Sequence, residues 1–318
     1  MPTKAKMIQR LMIAALAAIA FQTAGAQSRK ATANARTGDK PGSASDDTLD
    51  RAKTLRAAAD ALGMVRWSDI GAGGVHLPAV DVLNTMEFWG SGITYGSGQA
   101  YKSDASRPSF KTEYHVALAY NPPAMRVEMT RTNPDAPVQG SAAPLHTIQV
   151  VRDKYAWDES EIGAGLVLGK GTATAAMAAA VNNRLLQLWI LPYGVVKAAL
   201  AAGDQTRISI ENGATVITFP LSGQLAGVTV KATLDAKNEV TKVETRTDNP
   251  ALGEMLTETE YSDYADHGEI PTDIKSPGHI VQKQDGHPVL DIQVKKVDGN
   301  NPYLVFPVPE NVKKAAAH

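Results

Sequence analysis

Gly227–Tyr264 reads GVTVKATLDAKNEVTKVETRTDNPALGEMLTETEYSDY, and the fold is decided here. Val228, Val230, Ala232 and Leu234 alternate with Thr229, Lys231, Thr233 and Asp235, the pattern of a half-buried strand. Ala236–Glu239 is a polar hairpin connection without the Asn-Gly pair that would fix its turn type. Two further period-2 runs follow, Val240–Asp248 and Leu256–Tyr264, with Asn249-Pro250 as a breaker between them. Together they predict an antiparallel meander with one wet and one dry face. Its dry side (Val228, Val230, Leu234) is either a cavity wall or plain core. Such a sheet is a scaffold and brings no chemistry of its own.

Moving outward, Thr206–Glu211 and Thr215–Phe219 flank Asn212-Gly213, the strongest short hairpin signal in the chain. Ile280–Gln284 and Pro288–Val297 form another hairpin across Asp285-Gly286, and Tyr303–Pro307 closes the ordered part. Upstream, strand signals lie at Asn84–Trp89, Lys111–Tyr120, Met125–Thr130, Leu145–Arg152 and Lys154–Trp157. A glycine-rich patch, Gly90–Gly98, reads as a loop or a sheet bend. Two helical stretches interrupt the strands. Asp47–Met64 carries Leu49, Ala52, Leu55, Ala58, Ala59 and Leu62 on one stripe, with Ser45 or Asp46 as cap, and suits either packing on a sheet or a lid. Thr172–Leu188 and Tyr193–Ala202, separated by Pro192, are apolar nearly all round and must be buried or cover something apolar. The predicted class is mainly β (α+β), a curved antiparallel incomplete barrel of about eleven strands with an N-terminal helix and a mid-chain helical insertion.

The chain has 318 residues, a formal charge of −1 and no cysteine. Lys4, Lys6 and Arg10 precede an apolar run, Leu11–Phe21, and the small residues Ala24–Ala26, the layout of a cleavable signal peptide over residues 1–26. The apolar run is shorter than the roughly 20 residues a bilayer span needs. Without cysteine there is neither a disulfide nor a site for lipoprotein acylation, so the expected location is the periplasm or the exterior. Removing the leader removes three positive charges and leaves −4, a balance unsuited to nucleic acid. Residues 27–47 read as a flexible polar leader, 48–310 as one β domain and 311–318 as a disordered tail.

Chemical motifs fail on spacing. In Gly163–Thr172 (GAGLVLGKGT) Ala164 stands where a phosphate loop needs its first glycine and Gly171 separates Lys170 from Thr172, so the stretch reads as a loop entering a helix. His76, His115, His146, His267, His279, His287 and His318 show no metal-ligand spacing and read as solvated loop residues, although His279 and His287 flank one hairpin. No thiol, no G-x-S-x-G turn and no carboxylate pair off the solvated meander face offers a catalytic residue, so no catalysis, metal or cofactor is expected. Strands around a helical cover do suit a greasy ligand. The cavity candidates are Trp89, Tyr114, Met125, Met129, Met177, Leu186, Trp189 and Phe219, although apolar residues at these periods are what any core needs.

Ile148–Trp157 (IQVVRDKYAW) and the Thr229–Pro271 region, with Tyr261-Ser262-Asp263-Tyr264 followed by Gly268-Glu269-Ile270-Pro271, resemble the outer-membrane lipoprotein carrier and sorting proteins of the LolA/LppX-like superfamily. The resemblance covers about residues 48–310 and implies an incomplete β-barrel wrapped over helices, with an apolar cavity for acyl chains. It implies a lipid or other apolar small molecule as partner, and no catalytic residue to carry over. The same region is similar to a segment ahead of metallo-β-lactamase-fold domains in some exported bacterial proteins. That likeness implies an accessory module partnering a separate hydrolase in the cell envelope, since the enzymes' histidine motif is missing here.

Overall fold

The computed structural model describes residues 50–70, 75–80, 83–96, 108–133, 144–249, 253–266 and 274–316. The expected signal peptide, the 27–47 leader and the Gly268–Pro271 motif lie outside these residues. Helix α1 (Arg51–Ala61) precedes a ribbon of β1 (Val65–Ile70) and β2 (Val75–Val80). Then come β3 (Thr85–Tyr95), β4 (Ser109–Tyr120), β5 (Pro123–Thr132), β6 (Leu145–Arg152), β7 (Tyr155–Glu159) and the short β8 (Ala173–Ala175). The helical insertion is α2 (Ala178–Trp189) and α3 (Pro192–Ala202). Strands resume as β9 (Arg207–Glu211), β10 (Ala214–Pro220), β11 (Thr229–Leu234), β12 (Val240–Asn249) and β13 (Gly253–Ser262). A second small ribbon, β14 (Ala265–Asp266) and β15 (Lys275–Ser276), leads to β16 (His279–Gln284), β17 (His287–Gly299) and α4 (Glu310–Ala315).

Thirteen strands form one antiparallel sheet in the order β8-β7-β6-β5-β4-β3-β17-β16-β13-β12-β11-β10-β9, open at β8 and β9. The meander holds: Val230, Ala232 and Leu234 are buried, and their neighbours Thr229, Lys231 and Thr233 are not. Both residues of Asn212-Gly213 and of Asp285-Gly286 take positive φ, which a two-residue primed turn requires. Strand signals exceed the predicted count because β1, β2, β8, β14 and β15 are too short or too irregular to show a period.

The C-terminal segment packs onto the sheet, and the predicted disordered tail comes out differently. Tyr303–Pro307 is extended cover outside the sheet, with Phe306 buried and its carbonyl accepting from Arg152 Nη1 at 2.9 Å. The expected tail is α4 over 310–315, held down by Val312, which is 1% exposed. The glycine patch is strand as far as Tyr95. A Cβ on Gly90 would lie 2.6 Å from the Gln293 carbonyl oxygen and one on Gly92 2.0 Å from that of Asp291. Glycine is needed there because the β17 backbone comes too close to β3 for a side chain, just before β17 slips register between Val294 and Lys296.

Alternation gives the sheet two buried faces. On one, Met86, Phe88, Val116, Leu118, Met125, Val127, Ile217, Phe219, Val230 and Val243 pack with α1, α2 and α3 in a single cluster. On the other, Ala117, Ala119, Ala124, Ile148, Val150 and Trp157 lie under Phe306 and Val312. Of the alternatives for the first helix, packing in the core holds: Leu55, Ala58, Ala59 and Leu62 are buried, and the cap is Asp50, which accepts from the Lys53 amide. Pro192 opens α3 where its missing N–H costs nothing, and the two insertion helices meet at 97°. No single helix among the described residues is long and apolar enough to cross a membrane.

Candidate functional site: two grooves beside the helical insertion

Polar anchors fix the corner between α2 and α3. Arg184, buried on α2, donates from Nη1 to the carbonyls of Val150 (2.9 Å) and Trp157 (2.7 Å) and from Nη2 to Asp158 Oδ1 (2.6 Å). Tyr261 Oη donates to the Ile190 carbonyl at 2.8 Å, and Tyr193 Oη, at the start of α3, donates to that of Lys275. Tyr264 Oη reaches back to the Val240 carbonyl at 2.6 Å. The tyrosine-rich end of the meander is therefore a clamp between sheet and helices. Burial raises the pKa of Tyr193, Tyr261 and Tyr264, so these phenols stay protonated donors.

Two open grooves flank this corner. The first, of about 800 Å³, lies between Leu185, Trp189, Ala198 and Ala201 of the helices, the Asp153–Tyr155 turn, and the Pro220–Ala226 connection. Leu221 and Leu225 make its far wall apolar, and among the described residues only Asp153 and Lys154 bring charge to its lining. The second, of about 840 Å³, lies between the other flank of α2 (Ala179, Asn182, Asn183, Leu186) and the strands β11–β13. Lys231, Glu244, Arg246, Asp248 and Glu254 put charge along it. Gln224, Leu225 and Ala226 line both grooves, so one short turn divides an apolar slot from a charged one.

The eight sequence candidates scatter across the molecule. Trp189 lines the apolar groove, with its ring centroid 5.7 Å from that of Tyr120, and Leu186 lines the polar one. Met125, Met129 and Phe219 are core, and Tyr114 packs on the same cluster beside Phe88. Met177 is corrected outright: it stands before α2 and is 74% exposed. Trp89 points to the opposite face, stacked on His115 at 4.6 Å, because it lies one position from Phe88 and three from Met86, both of which face the core. The groove residues that spacing missed are Leu221 and Leu225, which sit in a non-periodic connection.

The histidines also need correction. His115 on β4 lies between Glu87 (Nε2–Oε1 3.3 Å) and Glu128 (Nδ1–Oε2 3.4 Å), and His146 Nε2 on β6 is 2.8 Å from Glu128 Oε1. Strand register sets this cluster, with His115 directly opposite Glu128, and linear spacing hides it. Burial pushes the Glu128 pKa up, and hydrogen bonds with His146 and His115 more than offset it, so the carboxyl titrates below its ordinary range. Among the described residues no three His, Asp or Glu side chains converge to hold a metal. His279 and His287 do not meet, since they pair with Gln293 and Gln284 respectively.

Lys197 on α3 is 8% exposed, with its ammonium 4.9 Å from the Tyr120 ring centroid, and burial pushes its pKa down to about 8. In the unfolded chain it keeps its proton up to about 10.5. The unfolded state therefore binds more protons between these values, and stability rises with pH from about 8 toward 10. Above about 10 the slope reverses, because burial holds Tyr114 protonated to about 12 while the unfolded phenol ionises near 10. Lys197→Met is expected to remove the rise and to add about 2 kcal/mol of stability at neutral pH. Urea unfolding in steps from pH 7 to 10 measures both.

No family model matches the chain, and no curated protein matches it.

Proposed function

We propose that the protein is an exported, non-catalytic binder of a lipid or acyl chain, with a carrier-like open half-barrel as its frame. The observation that supports this reading is the groove of about 800 Å³, walled by Leu185, Trp189, Ala201, Leu221 and Leu225 and nearly free of charge. Its volume falls in the range of small-molecule sites, and its lining suits an alkyl chain better than a polar substrate. The charged groove across Gln224–Ala226 gives a polar head group somewhere to reach. An amphiphile would span both.

Ala201 lines the apolar groove and is solvent-exposed, so a large side chain there fills the slot without disturbing the core. Ala201→Trp is expected to weaken binding of a fluorescent long-chain fatty acid at least about tenfold, with the melting temperature unchanged. A titration that shows no binding by the unsubstituted chain, or equal binding by both proteins, would defeat the proposal.

A further inference from the structure

The Ser160–Gly171 connection between β7 and β8, the stretch whose glycines mimic a phosphate loop, has a different use. Three consecutive apolar residues of it point outward: Leu166 is 40% exposed, Val167 58% and Leu168 fully so. They form a continuous tip, with no charged side chain between Glu161 and Lys170. The loop is nonetheless built rigidly. Ser160 and Thr172 close its base through Ser160 N to Thr172 O (3.0 Å) and Thr172 N to Ser160 Oγ (2.8 Å). Buried Glu159 accepts from Trp157 Nε1 and from the Gly163 amide, both within 2.9 Å. Ala164 is wholly buried, and a Cβ on Gly165 would lie 2.8 Å from Ala173, so the inner half of the loop is wedged against β8.

We propose that this loop docks the protein on a lipid bilayer by inserting Leu166, Val167 and Leu168 among the acyl chains. Four features favour a bilayer over a protein partner. The apolar residues form a projecting tip, which a deformable medium accepts and a preformed protein pocket would have to match. The Leu166 amide already donates to the Gly163 carbonyl and the Val167 carbonyl already accepts from the Lys170 amide, so neither group would enter hydrocarbon unpaired. Lys170 follows the tip, where its stem can stay with the chains while its ammonium meets phosphate. Leu145, 57% exposed, opens β6 at the same end of the sheet, since Ile148 pairs with Glu159 and Leu145 lies three residues beyond. Glu161 and Lys170 cancel, so insertion should depend little on head-group charge.

The absence of cysteine allows a clean test, because Leu168→Cys carries an environment-sensitive fluorophore at that site alone. On adding phosphatidylcholine vesicles to the full chain, the emission is expected to shift to the blue and to be quenched by brominated lipid. The same label at Lys237→Cys, on the exposed β11–β12 turn, should do neither. Changing Leu166, Val167 and Leu168 together to serine should lower vesicle cosedimentation about tenfold or more, with Leu11–Phe21 unaltered in both proteins. A Leu168 label indifferent to vesicles overturns the proposal, as does a shift that tracks protein concentration without lipid. Ala201→Trp should leave the shift intact, so docking and the acyl-chain reading can fail separately.

Discussion

Trp157→Ala is expected to lower the unfolding free energy by about 3–5 kcal/mol, the largest effect of any single truncation proposed here. The indole is 1% exposed on the face opposite the helices, and it packs among Ile148, Val150, Phe306 and Val312. Two costs combine. Removing the ring opens a cavity under a cover that is only the C-terminal segment and α4, and it deletes the donor to buried Glu159 Oε1 at 2.8 Å. Guanidinium unfolding measures the sum, and Trp157→Phe separates the parts, since it keeps most of the packing and loses the hydrogen bond. A loss under 1 kcal/mol for the alanine variant would mean that α4 and Phe306 do not seal this face.

Arg184→Ala is expected to cost about 3 kcal/mol. The guanidinium makes three hydrogen bonds, two to main-chain carbonyls of β6 and β7, and so joins α2 to the sheet near its β8 edge. Asp158, its charged partner, is 55% exposed and can be resolvated, so Asp158→Asn should cost less than about 1 kcal/mol. Arg184→Met tests the division differently. It keeps an apolar stem beside the sheet and should recover part of the alanine loss. Because α2 walls both grooves, Arg184→Ala should also weaken fatty-acid binding below its unfolding transition. Equal stability of the Ala and Asn variants would show the carbonyl bonds to be energetically idle.

The parts of the fold legible in the sequence are those set by neighbours in the chain. Val230, Ala232 and Leu234 declare a buried face by period alone, and Asn212-Gly213 declares its hairpin because both residues tolerate positive φ. The apolar texture of α2 and α3 likewise announces burial, and Leu185, Leu188, Val195 and Val196 are buried. Local pattern does not say which face of a strand meets which neighbour. Trp89 and Phe88 are adjacent and equally greasy, yet one stacks on His115 outside and the other enters the core.

Sequence by itself determined a mainly β chain, a tandem meander and a helical insertion that had to be covered, because strand period, turn chemistry and all-round apolarity are local. Tertiary structure alone decided the rest. It brought β3 beside β17 across more than half the chain, and made Gly90 and Gly92 necessary where that partner crowds in. It set His115 against Glu128 by register, folded the supposed tail into a cover for Trp157, and placed Leu221 and Leu225 opposite Trp189 to make a groove. Each is a contact between residues distant in sequence, and no period within a single segment encodes the partner on the other side.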